Sequence, residues 1–72
     1  MKLKDYRDLK RISRAKFGAL VGVGGIQVWR YETGRSVPKP AIVKAIADAT
    51  AGAVTADDHH RAVAERAAEV QA

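Results

Sequence analysis

"GALVGVGGIQVWRYETGRSVPKP", Gly18 to Pro40, sets Gly22, Gly24 and Gly25 between two apolar segments and then follows them with the bulky Trp29, Arg30 and Tyr31. Ser13, just upstream, offers a side-chain oxygen where a helix should begin, and Phe17, Leu20 and Val21 follow at i, i+3 and i+4. Gly22 suits the left-handed conformation that stops such a helix. Only Val23 and Gly24 then precede the next apolar pattern, Val28 and Tyr31, so two helices must meet in a sharp elbow. Gly18, in the middle of the helix that Gly22 stops, removes a side chain with which the helix after the elbow would collide. Gly24 is a tolerated N-cap that leaves backbone N–H groups free at the positive end of the following helix. Gly25, in its first turn, brings backbone close to whatever lies opposite.

Outward from this elbow, Leu3, Tyr6 and Leu9 recur at helical spacing and mark a short first helix with Lys and Arg on its other sides. Gly34 ends the third helix, and "RSVPKP" reads as an extended loop because Pro38 and Pro40 bias their predecessors away from helix. Pro40 can open a fourth helix as its first residue, with Ile42, Val43 and Ile46 facing inward and Thr50–Ala51–Gly52 closing it. Ala53–Val54–Thr55 favours β structure and leaves room for one short strand pair with the Lys2–Lys4 end. Thr55 with Asp58 resembles a capping box before a last helix to about Gln71, whose stripe of Ala56, His60, Val63, Ala67 and Val70 is thin. The expected fold is all-α: a compact domain of four to five helices. Residues 1–55 form the main domain, and residues 56–72 a C-terminal helix that either helps to join subunits through Val54, Val63, Ala67 and Val70 or remains an exposed tail.

The 72 residues allow one domain with a small core, and the absence of cysteine removes disulfides and thiolate metal sites while fitting a reducing compartment. Apolar runs are far too short for a membrane span, and the charged "MKLKDYRDLKRISR" lacks the apolar stretch of a signal peptide, so a soluble cytoplasmic protein is expected. The net charge of +5 is unevenly placed: residues 1–44 carry eleven bases and three acids, residues 45–72 two bases and five acids. A basic half of this kind suits a polyanion. Enzymatic readings find little support. His59–His60 beside Asp57–Asp58 could attract a metal, but adjacent histidines on a helix diverge by 100° and a helix surface is the expected setting. Ser13 has no partner pattern for nucleophilic catalysis, and the glycines lack the Lys-Ser/Thr and the strand of nucleotide-binding loops. No cofactor, metal or small-molecule ligand is expected.

Helix, tight glycine turn, helix is the geometry of a helix-turn-helix DNA reader. With Val28 and Tyr31 turned to the core, 100° per residue points Ile26, Trp29, Arg30 and Thr33 away from it and puts Gln27 on a flank. The base-facing set is then Gly25, Ile26, Trp29 and Arg30. Arg30 can donate two hydrogen bonds to guanine, Ile26 can touch a thymine methyl, and Trp29 either packs on the nucleic acid or folds back over the protein.

"RAKFGALVGVGGIQVWRYETG" (Arg14–Gly34) resembles the helix-turn-helix of the Cro/phage-repressor, or XRE, family: small Gly18, Gly22 at the turn, Val28 and Tyr31 as anchors, and the terminal Glu32–Thr33–Gly34. The likeness runs from Met1 to Asp58, with one departure, Gly24–Gly25 where many members carry Ser-Gln or Thr-Gln. The resemblance implies DNA-backbone contacts from Arg14, Gln27, Arg35, Ser36 and Lys39, and a homodimer on double-stranded DNA acting as a transcriptional regulator, with repression favoured. Glu32, an acid beside the basic face, should pair with a first-helix base such as Arg7 or Arg11. An antitoxin-like or adaptor protein that binds a protein partner through its acidic C-terminal half is the alternative. A peripheral membrane module is disfavoured, because no helix pairs a large apolar face with Lys/Arg flanks.

Overall fold

Ser13 caps a helix and Gly22 ends it. The Ser13 hydroxyl accepts the Lys16 N–H at 3.1 Å, and Gly22, at φ 85°, returns its N–H to the Gly18 carbonyl. The computed structural model describes residues 1–71, with side chains through Glu69, as five helices: α1 Leu3–Lys10, α2 Arg14–Val21, α3 Gly25–Glu32, α4 Pro40–Ala49 and α5 Ala56–Gln71. Pro40 is the first residue of α4, where its missing N–H has no helical partner to lose. Arg11 terminates α1 in a left-handed conformation, φ 56°, a position at which a non-glycine residue is uncommon.

Phe17, Val28, Ile46 and Val54 are fully buried at the centre, with Leu3, Val21 and Tyr31 around them and Tyr6, Ile12, Val23, Ile42 and Ala45 packed against the cluster. Tyr6 meets Phe17 edge-on at 6.4 Å. Each large side chain buried here contributes about 1.5–3 kcal/mol. Leu9 and Leu20 do not share in this; both are exposed, although their spacing suggested the inward stripes of α1 and α2.

No strand forms among the described residues, so the strand pair is not realised. After α4 the chain turns through two left-handed residues, Ala51 (φ 53°) and Gly52 (φ 82°). The buried Thr50 hydroxyl donates to the Ile46 carbonyl at 2.8 Å and accepts the Val54 N–H at 3.1 Å, which folds Val54 into the core. A fully buried Val54 is not available to join subunits, contrary to its expected place there. The Lys2–Lys4 end instead enters α1, and the Met1 amino group donates to the Ala53 carbonyl at 2.8 Å.

On α5 half of the expected capping box forms: Thr55 N–H donates to Asp58 Oδ2 at 2.9 Å, but the Thr55 hydroxyl also donates to that oxygen rather than accepting. The inward residues are Asp58 and His59, with Ala62 and Val63 half-buried, so α5 is rotated from the Ala56–His60–Val63–Ala67 stripe; the side chain of Val70, the last of that stripe, lies outside those described. His59 is only 3% exposed and stands edge-on to Tyr31 at 6.3 Å; it is a core residue and not helix surface, whereas His60 is exposed.

Candidate nucleic-acid interface

The elbow works by contact between backbones. A β-carbon at Gly18 would strike the Val23 carbonyl oxygen and lie 3.2 Å from Gly24, so the turn itself sits where that side chain would be. Gly24 is extended (φ −80°, ψ 164°) and supplies no side-chain cap, leaving the first amides of α3 uncapped at the positive end of the helix. From Gly25 a side chain would lead to Ala15 N at 3.2 Å, toward the first turn of α2; what Gly25 offers to the outside is main chain.

Val28 and Tyr31 anchor α3, and the opposite face carries Ile26, 71% exposed, and Arg30, also exposed and with no ion-pair partner among the described residues. Trp29 stands beside them, 37% exposed, with the Arg35 guanidinium carbon 4.5 Å from its ring centroid. Gln27 on the other flank donates from Nε2 to Ser36 Oγ at 3.1 Å, which ties the following loop to α3. Two expected backbone contacts are thus joined to each other, and a third is stacked on an expected base-facing residue. Lys39, at the N-cap of α4, is exposed.

Beneath this surface the Glu32 side chain is 1% exposed, and both of its oxygens are occupied: Arg7 Nε donates to Oε2 at 2.7 Å and Arg14 Nε to Oε1 at 2.9 Å. Arg7 also donates to the Ile12 carbonyl at 3.0 Å, and its hydrogen bond to Glu32 raises an already high pKa. The expected ion pair therefore forms with Arg7 and not with Arg11, which is taken up in ending α1. Arg14 joins it, so this residue is partly committed within the protein, although its side chain remains 42% exposed. One carboxylate thereby fastens α1 and α2 to the last turn of α3.

Gly34 is the feature that sequence reasoning undervalued. It follows α3 at φ 74°, and a β-carbon there would run into the Ala62 carbonyl of α5, with Val63 Cα at 2.9 Å. Its value as a helix terminator was legible; its close approach to a helix nearly thirty residues later was not. His59 was also missed, yet a signal existed: His59, Ala62 and Val63 fall at i, i+3 and i+4. Among the described residues no group of three or more His, Asp or Glu gathers as for a metal, and no helix is long and apolar enough to cross a membrane.

A family model described as a helix-turn-helix domain matches residues 1–62. No curated protein and no solved structure matches the chain.

Proposed function

The chain belongs to the helix-turn-helix domain family, and on that premise we propose that it is a sequence-specific DNA-binding transcriptional regulator that inserts α3 into the major groove. The observation that carries this reading is the outward face of α3. Ile26 and Arg30 stand exposed there, on a helix held entirely from its other side, in a half of the chain with eleven bases to three acids. Arg30 and Ile26 are the side-chain base readers, Gly25 contributes main chain, and Arg14, Gln27, Arg35, Ser36 and Lys39 flank them on the DNA backbone. One domain of this size offers a modest interface, so two copies on two half-sites is the arrangement that supplies useful affinity, and repression is the favoured outcome. The setting for such a role is the cytoplasm.

Selection of bound duplexes from a random pool tests this, because it reports base preference, half-site spacing and symmetry together. The selected duplex should then bind with a strong salt dependence, log K falling by about 0.9 per phosphate neutralised for each decade of salt. An unenriched pool, or binding indifferent to salt, would refute the proposal. A protein partner is the second reading. The surface that favours it is an apolar groove of about 460 Å³ between the loop at Val37–Pro38, α4 at Val43 and Ala47, and α5 at Ala56 and His60. Co-purification from cells separates the two.

A further inference from the structure

Trp29 and Arg35 entered as separate contacts, one to bases and one to phosphates, but the structure joins them. The Arg35 guanidinium lies over the indole at 4.5 Å. Its main chain is fixed as well: the Arg35 N–H donates to the Arg30 carbonyl at 2.9 Å, immediately after left-handed Gly34 has seated against α5. The next residue, Ser36, is held to α3 by Gln27. The Thr33 hydroxyl donates to the Trp29 main-chain carbonyl at 2.9 Å and tightens the last turn of α3. Arg35 lines a cleft with Glu65 and Glu69 of α5, yet forms no ion pair with either; Glu65 is paired with Lys2. The guanidinium therefore rests on the indole and keeps its hydrogen-bonding edge free.

A stacked guanidinium carries its N–H groups in its own plane, where two of them can meet two oxygens of one acceptor. Arg35 lies beyond the C-terminal end of α3; with α3 in the major groove, phosphates lining the groove would flank the residues that meet base edges. We propose that Trp29 is a positioning residue: it is the shelf that holds Arg35 flat for a two-pronged contact with one DNA phosphate, and it reads no base. This rests on the DNA-binding reading above and assigns Trp29 a different role within it.

Trp29 is the only tryptophan, so the stack can be tested without DNA. Arg35→Ala should change the indole emission and raise its quenching by acrylamide; an unchanged indole would overturn the stack itself. On the selected duplex and a scrambled one, Trp29→Ala should weaken binding to both alike, by about two- to fivefold, the reach of an exposed cation–π contact. Trp29→Phe, which keeps an aromatic face, should restore most of that loss. Arg35→Ala should reduce the salt slope by about 0.9, one phosphate. The double variant Trp29→Ala/Arg35→Ala should bind no more weakly than Arg35→Ala alone, since a shelf without its guanidinium has nothing to position. A changed base preference in Trp29→Ala, or losses that multiply in the double variant, would overturn the proposal. Wild-type protein that enriches no duplex would instead overturn the DNA reading, with the fluorescence result still standing.

Discussion

Replacing Gly34 by alanine brings two penalties to one residue. The left-handed φ of 74° disfavours any side chain by about 1–2 kcal/mol, and the new methyl group meets the Ala62 carbonyl, adding an overpacking cost of about 1–3 kcal/mol. Gly22→Ala has the first penalty alone, because nothing lies within 4 Å of its β-position. Denaturant unfolding should therefore rank Gly34→Ala below Gly22→Ala, with losses of about 2–5 and about 1–2 kcal/mol; equal losses would mean that α5 gives way to the methyl group. A second contrast concerns chemistry. Arg30→Ala should relax preference at one base position by about 1–3 kcal/mol, whereas Lys39→Ala should weaken every duplex about equally. Comparing each variant on selected and scrambled duplexes decides it, and a base preference altered by Lys39→Ala alone would place the reading face elsewhere.

All five helices were legible as elements, because Ser13, Gly22, Gly34 and Pro40 are strong local signals for where helices start and stop. The faces that some of them turn inward were less legible, and the reason is physical. Apolar spacing counts bulk, but α2 is oriented by Gly18 pressing against the turn, which swings Leu20 into solvent. Arg7 must reach Glu32, and α1 turns accordingly and exposes Leu9. On the Ala-rich α5, with so little bulk to read, a histidine takes the inward place. The same carboxylate that orients α1 fastens three helices, and a prediction follows at this scale. Glu32→Gln leaves Arg7, itself largely buried, with only the exposed and more distant Asp8 carboxylate, at 3.7 Å, as a charge partner, and should lower the unfolding free energy by about 3 kcal/mol. Arg14→Ala removes the more exposed partner and should lower it by about 1 kcal/mol or less. Equal effects in thermal or urea unfolding would show that the two arginines share the buried charge evenly. Of the candidate interface, the identity of the exposed residues was readable from helical phase, while the Trp29–Arg35 stack and the Gln27–Ser36 bond depend on how a loop returns, which no periodicity records.

Across the whole molecule, acid should act through the attachment of α5. Burial lowers the His59 pKa; nearby His60 adds to this and Asp58 opposes it. Protonating His59 thus favours the unfolded chain, so its contribution is complete above about pH 6.5 and declines as pH falls below that value. Burial alone would raise the Asp58 carboxyl, but the Thr55 N–H and hydroxyl and the Met1 ammonium outweigh it and hold it low. Its contribution is present above about pH 3.8 and is lost on further acidification. Stability measured against pH should therefore fall in two stages, and His59→Gln should remove the first stage and leave the second. A variant that keeps the decline below about pH 6.5 would locate its source away from His59.

The mounting of α3 has a different kind of consequence. Gly25 against Ala15 and Gly34 against Ala62 hold it near its two ends through main chain, and Glu32 holds it from below, so Ile26 and Arg30 bear none of the load. Surface changes of that sort usually alter stability by no more than about 0.5 kcal/mol. The address can be rewritten while the carrier stays the same: proteins differing only at positions 26 and 30 should melt together and settle on different operators.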